Sequence, residues 1–395
     1  MKVYIIAKAS YPMGMATTRR VYNYAKGIVK NNVPCEILIP ISLERYGIKP
    51  LNTQSEGVYN GTYFRYMSGF PQRRSNIFVR QFDDFMGYFK TLYYIKRNAK
   101  KGDVVFVYGT GKIWAWLLQY VTHLVNAKSV MELCELPYGT GSENASIIRN
   151  RKLILKYIFP KYDGFITISQ SLFELAKQYG NKQTKILKVP ILINNENITF
   201  HDTNENRGMY IFHSGTLYEQ KDGILGMLQA FAIASKKINV PLKFYLTGNI
   251  SDSPYKDEIK RIIDINRLET KVVFTGYLSQ EKLIDYQRNC FLTIINKYDN
   301  QQNRYCFSTK LGEYLFFSRP VIITNVGEAM YYLKNNINAY IVEPSNPELI
   351  ADKIIHAYKN PEERNRIAKA GQELAETEFN YYYHGKRLVS FFRYL

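Results

Sequence analysis

Phe307-Ser308-Thr309-Lys310-Leu311-Gly312-Glu313-Tyr314-Leu315-Phe316-Phe317-Ser318-Arg319-Pro320-Val321-Ile322-Ile323 reads as a short helix that hands over to a wholly apolar strand. Ser308 or Thr309 can cap the helix, and the free N–H groups and dipole at such a start attract a phosphate. Glu313 falls one turn in, among Leu311, Leu315 and Phe316, where a solvated surface acid is not expected. A carboxylate there can accept both hydroxyls of a ribose; the alternative is a carboxylate that caps its own helix.

Outward from this stretch the helix–strand alternation continues in both directions. The second half carries apolar runs at 209–213, 242–246, 271–274, 291–295, 321–324 and 339–342. Helical spacing fills the gaps at 224–237, 255–266, 280–289, 311–317 and 328–335, with two more helices near 347–358 and 361–377. The first half repeats the scheme: strand 3–7, helix 19–30, strand 35–39, then runs at 62–66, 104–108, 129–133 and 165–168. Continuous apolar strands alternating with helices predict parallel sheets covered on both faces. A chain of 395 residues also exceeds what one core usually serves. The expectation is therefore two doubly wound α/β domains, 1–190 and 208–378, joined by a polar linker over 191–207. A basic, aromatic helix at 379–395 is expected to cross back to the first domain. Ligands of such sheets bind beyond the carboxyl ends of the strands, so a cleft between the halves is the expected active site.

Two more stretches carry chemistry. In Ser214-Gly215-Thr216-Leu217-Tyr218-Glu219-Gln220-Lys221-Asp222-Gly223, Gly215 allows a backbone to approach a ligand and Lys221 offers a compact cation for a diphosphate. Val272-Val273-Phe274-Thr275-Gly276-Tyr277-Leu278 is a strand and Gly turn from which main-chain groups at Tyr277 could read a nucleotide base. Each alone is also an ordinary strand–helix junction.

In this order and spacing the three stretches resemble the C-terminal half of glycosyltransferase family 4, the retaining enzymes of the GT-B fold. The resemblance covers roughly residues 208–360. By it, Glu313 matches the second glutamate of the family's E-x7-E motif, which holds the nucleotide ribose, and Lys221 matches the lysine that neutralises the donor diphosphate. Gly215, Thr216, Ser308, Thr309 and Lys310 fall in the donor-binding stretches, and Tyr277 matches the base-reading position. The first half matches more loosely: Pro12-Met13-Gly14-Met15-Ala16 looks like the family's first loop, which puts Gly14 near the diphosphate and acceptor. Two positions depart from the pattern. Tyr305 stands where the motif's first glutamate would be, and Thr216 stands where many members have an arginine. Lys310 or Arg304 could supply the missing positive charge. Members reading K-x-x-E-Y, as Lys310…Glu313-Tyr314 does, often lack the first glutamate, so the resemblance implies a divergent active enzyme. Where many relatives carry a histidine after a first-domain strand, this chain has Met131-Glu132-Leu133-Cys134-Glu135. Glu132 or Glu135 could orient an acceptor hydroxyl, or either could be a solvated loop carboxylate.

The resemblance implies transfer of a sugar from a nucleotide-diphosphate sugar, UDP- or GDP-linked, to a saccharide or lipid-linked acceptor in surface polysaccharide synthesis. It needs no metal and no cofactor, and Asp83-Asp84 lies inside a helical stretch, not in a D-x-D turn. A sugar-nucleotide epimerase or a non-catalytic partner subunit on the same scaffold are the competing readings. A nicotinamide dehydrogenase is disfavoured because neither half opens with G-x-G-x-x-G.

The formal net charge of +19 needs an account. No zinc finger, basic zipper or RNA-binding signature accompanies it, so nucleic acid is not expected as a partner. Segment 71–100 interleaves aromatic and basic residues at helical spacing, which suits either an interfacial helix on an anionic membrane or a core-packed helix with basic flanks. Four cysteines without a C-x-x-C pair, and an N-terminus without a signal-peptide pattern, predict a reducing, cytoplasmic setting. No apolar run reaches the ~20 residues that span a bilayer, so any membrane association is expected to be peripheral.

Overall fold

Five-residue runs such as Val3-Tyr4-Ile5-Ile6-Ala7 have no polar face to give to water, so a strand built from them must be covered on both sides. The computed structural model uses them in that way; it describes residues 1–44, 46–47, 49–138, 144–194, 196 and 207–395. The chain divides into two compact units, one comprising Met1–Asn194 with Asn380–Leu395 and the other Asn195–Phe379. Most of the 191–207 linker expected from the sequence lies outside the described residues.

The first unit is built on β1 (Val3–Ala7), β2 (Cys35–Ile39), β3 (Glu56–Tyr59), β4 (Thr62–Tyr66), β5 (Val104–Tyr108), β6 (Lys128–Leu133), β7 (Gly164–Thr167) and β8 (Lys185–Lys188). They form one sheet in the order β3-β4-β2-β1-β5-β6-β7-β8. All neighbours are parallel except β3, which pairs antiparallel with β4 at the edge. The sequence reading missed β3 and β8, the two edge strands. Their burial alternates or stays partial, so neither presents the continuous apolar run that marks the interior strands.

The second unit carries β9 (Met209–His213), β10 (Leu242–Leu246), β11 (Val272–Phe274), β12 (Leu292–Ile295), β13 (Val321–Thr324) and β14 (Tyr340–Val342). All are parallel, in the order β11-β10-β9-β12-β13-β14. This is the doubly wound order whose direction reverses beside the first strand, here between β9 and β12. The first unit reverses likewise between β1 and β5. Beyond a reversal the flanking connections diverge to opposite faces, which leaves a crevice at the carboxyl ends of the two strands. Residues 328–335, expected to be helical, form only the short 3-10 turn Gly327–Tyr331.

The C-terminal helix Tyr381–Arg393 packs on the helix Ala16–Lys30, within the first unit. Two glycines allow it. A Cβ on Gly385 would lie 2.5 Å from the carbonyl carbon and oxygen of Gly27, and one on Gly27 would lie 3.0 Å from Gly385 Cα. The backbones therefore touch, and no side chain fits between them. Asn380 caps the C-terminal helix through Tyr382 N–H and Tyr383 N–H, and Tyr381 N–H donates to Ile193 O at 3.1 Å. Gly385→Leu is expected to cost about 3 kcal/mol, the upper end for overpacking, because backbone cannot yield as a side chain can. Urea unfolding followed by circular dichroism checks this; an unchanged midpoint would mean that the helices separate freely.

Candidate functional site

The crevice between β9 and β12 collects the chemistry of the second unit. β9 ends at His213, and the chain leaves through Ser214, Gly215 and Thr216. Each step of that exit is held. Ser214 N–H donates to Tyr314 Oη at 2.8 Å, and Gly215 N–H donates to Thr247 Oγ1 at 2.9 Å. A Cβ on Gly215 would lie 2.5 Å from His213 Nε2 and 2.9 Å from Asp222 Oδ2, so the position admits only glycine. At the other side, Asn296 follows β12 and donates from Nδ2 to Gly223 O at 2.8 Å. Gly223 is left-handed (φ +62°), and a Cβ there would meet Asn296 Nδ2 at 2.5 Å.

Asp222 is the anionic centre of this arrangement. It is buried, its Oδ1 accepts the Lys310 ammonium, and its Oδ2 accepts from Thr216 N–H and Oγ1 at 3.3 Å each. Burial by itself would raise its pKa, but Lys310 and then His213 and Lys297 more than offset that and hold the carboxyl well below the usual range. His213 is fully buried; its Nδ1–H donates to Ile294 O at 2.9 Å. Burial, then Lys310, lower its pKa to about 4, so the ring is neutral near pH 7 and Nε2 is left as an acceptor. Nε2 and Asn296 Oδ1 are both buried polar atoms with no hydrogen-bond partner among the described residues.

Two further lysines lie on the segments that meet at this centre. Lys297 donates to Lys221 O at 2.9 Å and to Asn303 Oδ1 at 3.3 Å, with no ion pair to a carboxylate among the described residues. Burial, then Lys310, push its pKa down to about 8; the Asp222 charge acts in the opposite sense. Lys221 lies in the one-turn helix Glu219–Asp222 and is exposed. Its ammonium has no hydrogen bond or ion pair among the described residues. The sequence reading named Lys221 and Lys310 and missed Lys297. Residues 296–300, Asn-Lys-Tyr-Asp-Asn, carry no Gly turn or helical period, and only the position after β12 could have flagged the lysine.

The helix Thr309–Phe316 has Ser308 at its N-cap position, but the Ser308 side chain makes no capping bond. The expected capping oxygen is therefore present and unused. Glu313 is half-buried and accepts from Gln287 Nε2 at 2.8 Å. Gln287, itself buried, projects from the helix Gln280–Asn289. Arg304 stands apart from the cluster, exposed and paired with Asp299 at 2.6 Å. Of the two candidates for the missing charge, the lysine lies in the crevice and the arginine does not. Tyr277 is 70% exposed beyond β11, where Gly248 N–H donates to Gly276 O at 2.9 Å and ties the loop after β10 to the one after β11.

In the first unit, Gly14 lies in the loop after β1, where a Cβ would press on the Thr18 side chain and come within 2.7 Å of Ser10 O. Thr18 Oγ1–H itself donates to Ser10 O. Close packing within the loop therefore accounts for this glycine. Glu132 sits at the end of β6 with its side chain almost fully buried, paired with Arg20 Nε at 2.8 Å. It also accepts from Tyr24 Oη at 3.0 Å and from Cys134 Sγ at 3.0 Å, while Arg20 donates to Pro190 O and Val189 O at 2.6 and 2.9 Å. Oε1 also shares the Tyr24 hydroxyl with Oε2, and with its side chain almost fully buried Glu132 has the geometry of a structural ion pair and not of an acid presented to an acceptor. Glu135 is the exposed member of the pair of glutamates. Asp83 and Asp84 lie mid-helix and pair with Arg74 and Arg73.

Residues 194–374 match the model of the family described as glycosyl transferases group 1, a little under half of the chain. No curated protein matches the sequence. Among solved structures the chain is similar to sucrose-phosphate synthase from Thermosynechococcus elongatus, at 14% identity and a TM-score of 0.73, covering 99% of this chain and 98% of that one. It is similar to a glycosyltransferase from Rickettsia africae at 17% identity and a TM-score of 0.69, over 99% and 98% of the two chains. HepE from Anabaena, solved in complex with UDP-glucose, aligns at 13% identity and a TM-score of 0.67 over the whole of both chains. The fold is α/β, with two Rossmann-like parallel-sheet units, and its structural neighbours are GT-B glycosyltransferases.

Two outcomes follow from the charge geometry. Glu132→Ala should cost about 3–5 kcal/mol, because it strands Arg20 as an unpaired buried charge; Glu135→Ala should change stability by less than about 0.5 kcal/mol. Denaturant titration of both variants decides between a structural and an exposed role. For Lys297, a folded-state pKa below the unfolded 10.5 means that the unfolded chain holds more protons between about pH 8 and 10.5. The protonated ammonium is thus a cost at pH 7 that fades as pH rises through that window. Lys297→Met should raise the thermal midpoint of the free protein at pH 7, by an amount that shrinks towards pH 10.

Proposed function

We propose that the chain is a retaining glycosyltransferase whose donor is a nucleotide-diphosphate sugar. The observation that carries this reading is the crevice between β9 and β12, where Lys310 pairs with the buried Asp222 and Lys297 has no carboxylate partner among the described residues, with Lys221 on the adjoining helix Glu219–Asp222. That leaves a surplus of positive charge at the place where doubly wound sheets bind phosphates. The match of residues 194–374 to the glycosyl transferase model supports a sugar-transferring enzyme, and the UDP-glucose complex of HepE supports a UDP-sugar as the first donor to try, ahead of a GDP-sugar.

In this reading Lys221 and Lys297 bind the diphosphate, and Lys310, held by Asp222, keeps the loop after β9 in shape. Lys297 takes over the charge that Thr216 does not provide. Thr309 and the uncapped N–H groups at Ser308 face the distal phosphate, and Glu313, presented by Gln287, receives the ribose hydroxyls. Gly215 and Tyr277 supply main-chain contacts to phosphate and base. An acceptor hydroxyl attacks the anomeric carbon as its bond to the diphosphate oxygen breaks. It attacks from the side of the leaving group, which takes the proton, so the anomeric configuration is kept. Preorganised cations stabilise the charge that grows on the diphosphate, typically by ~2–4 kcal/mol of barrier for each such contact. No metal or further cofactor enters this scheme. The acceptor is a saccharide or lipid-linked saccharide of the kind used in surface polysaccharide synthesis, at the cytoplasmic face of the membrane.

Thermal midpoints against UDP, GDP, ADP, CDP and their common sugar conjugates test the donor site. At a hundredfold excess over Kd one nucleotide should stabilise the protein by about 2.7 kcal/mol. Glu313→Ala and Lys297→Met should each lose most of that response, and the wild-type response should weaken above about pH 8 as Lys297 discharges. Nuclear magnetic resonance of the product then reads the anomer; an inverted product refutes the retaining mechanism. A flat nucleotide panel refutes the donor site and favours a non-catalytic partner subunit, which the Tyr305 and Thr216 positions permit. Free nucleotide and an altered sugar formed without acceptor would instead indicate an epimerase.

A further inference from the structure

Two helices of the first unit turn aromatic stripes to solvent. On Ile77–Asn98, Phe78, Phe82, Phe85, Phe89 and Tyr93 recur at steps of three or four residues, and each is more than half exposed. The opposite face is the packed one, with Gly87, Tyr88, Thr91 and Ile95 buried. On Lys112–Leu124 the same spacing exposes Ile113, Trp116, Tyr120 and Leu124, and Trp116 stacks on Tyr120 at 6.0 Å. Trp114 joins the two helices: it stacks on Tyr88 at 4.5 Å and tilts against Phe85 at 5.7 Å, so the stripes adjoin. The first stripe alone runs about 22 Å from Phe78 to Tyr93. None of these exposed residues belongs to the unit's buried core cluster. A contiguous apolar surface of this size on one face marks an interaction site.

The exposed charges on the stripe-bearing segments have one sign. Residues 71–101 hold eight basic residues and two acids. The two acids, Asp83 and Asp84, are half-buried and already paired with Arg74 and Arg73. The exposed charges of that segment, Arg74, Lys90, Lys96, Arg97, Lys100 and Lys101, are all positive. The helices Lys112–Leu124 and Ala145–Tyr157 carry no acid, and Arg149, Lys152 and Lys156 on the latter are exposed. Linear rows of Phe with Trp and Tyr beside them, bordered by Lys and Arg, are the composition of a helix lying in the headgroup layer. Among the described residues no helix is long and apolar enough to cross a membrane.

We infer that the paired faces of Ile77–Asn98 and Lys112–Leu124 form a docking surface for an anionic lipid bilayer. The aromatic rings enter the boundary between headgroups and acyl chains, and the surrounding Lys and Arg meet lipid phosphates. This deepens the lipid-linked acceptor reading above by naming the surface that brings the enzyme to such a substrate, and it does not depend on the donor site.

The chain's two tryptophans, Trp114 and Trp116, both lie on this surface and serve as its probe. The full-length protein is mixed at low salt with vesicles of phosphatidylcholine alone, or of phosphatidylcholine with phosphatidylglycerol. A blue-shifted emission and co-sedimentation are expected with the anionic vesicles only, and both should fade as salt rises. Neutralising Lys90, Lys96 or Arg97 to Gln should weaken binding about fivefold each. A Phe78→Ser, Phe82→Ser, Phe89→Ser triple variant should lose the shift while keeping the wild-type thermal midpoint and response to UDP, since these rings are exposed. Absence of binding at low salt, equal binding to neutral vesicles, or a dimer in solution that the triple variant dissociates would each overturn the inference. Loss of vesicle binding with an intact UDP response sinks this proposal alone; the converse sinks the donor reading alone.

Discussion

The carboxylate of Asp222 accepts the Lys310 ammonium on one oxygen and Thr216 on the other, and so fastens the loop after β9 to the helix Thr309–Phe316. Removal of either member of a buried pair leaves an uncompensated charge, which typically costs about 3–5 kcal/mol. The pair therefore fixes two segments that are far apart in sequence at the one place where the sheet reverses. It also sets the electrostatics of the crevice. With Lys310 answered, Lys221 and Lys297 remain without carboxylate partners among the described residues, and burial first, then the Lys310 charge, depress the pKa of Lys297. Such a cluster is costly in the free protein, a cost that a bound anion would offset. Stability given up at a site in this manner is the ordinary signature of function, not of folding.

The first unit treats its buried charge in the opposite way. Arg20 and Glu132 meet at 2.8 Å, and Tyr24, Cys134 and two backbone carbonyls take up the remaining donors and acceptors. Each side-chain nitrogen and oxygen of the pair has at least one partner. Burial, then the nearby Glu132 charge, keep the Cys134 thiol protonated, so the sulfur acts as a donor within the network and is no nucleophile. The pair holds the helix Ala16–Lys30 to the strand ends and to the segment around Val189 and Pro190. That segment precedes the division of the chain at Asn194. The same helix receives the C-terminal one at Gly27 and Gly385, so one element gathers the beginning, the end and the exit of the unit.

Much of the fold was legible because interior parallel strands are short, wholly apolar and set between helices of regular period. The edge strands β3 and β8 were not, since a strand with one open side needs no continuous apolar run. Glu313 and Lys221 could be named from spacing within motifs. Lys297 could not, because its role comes from strand order: β12 lies beside β9 only after the chain has crossed the sheet, and no local pattern records that neighbour. Glu132 illustrates the reverse error. In sequence it is a carboxylate near a strand end, equivalent to Glu135; only the approach of Arg20, 112 residues away, distinguishes a buried counter-ion from an exposed acid.

The net charge of +19 divides into populations that obey different physics. Lys297 and Lys310 at the β9–β12 crevice are partly desolvated and screened little by salt, which suits an anion held in contact. The lysines and arginines beside the aromatic stripes are exposed and spread over two or three helices, where screening at physiological salt reaches about 8 Å. Singly they hold nothing. They act only against a surface that presents many anions at once, and only while apolar contact keeps the chain within a screening length of it. Aromatic stripe and basic rim therefore depend on each other: rings alone would favour self-association, and charge alone would be lost to salt. The crevice needs no such partner, because Asp222 holds Lys310, and Lys221 O with Asn303 Oδ1 holds Lys297.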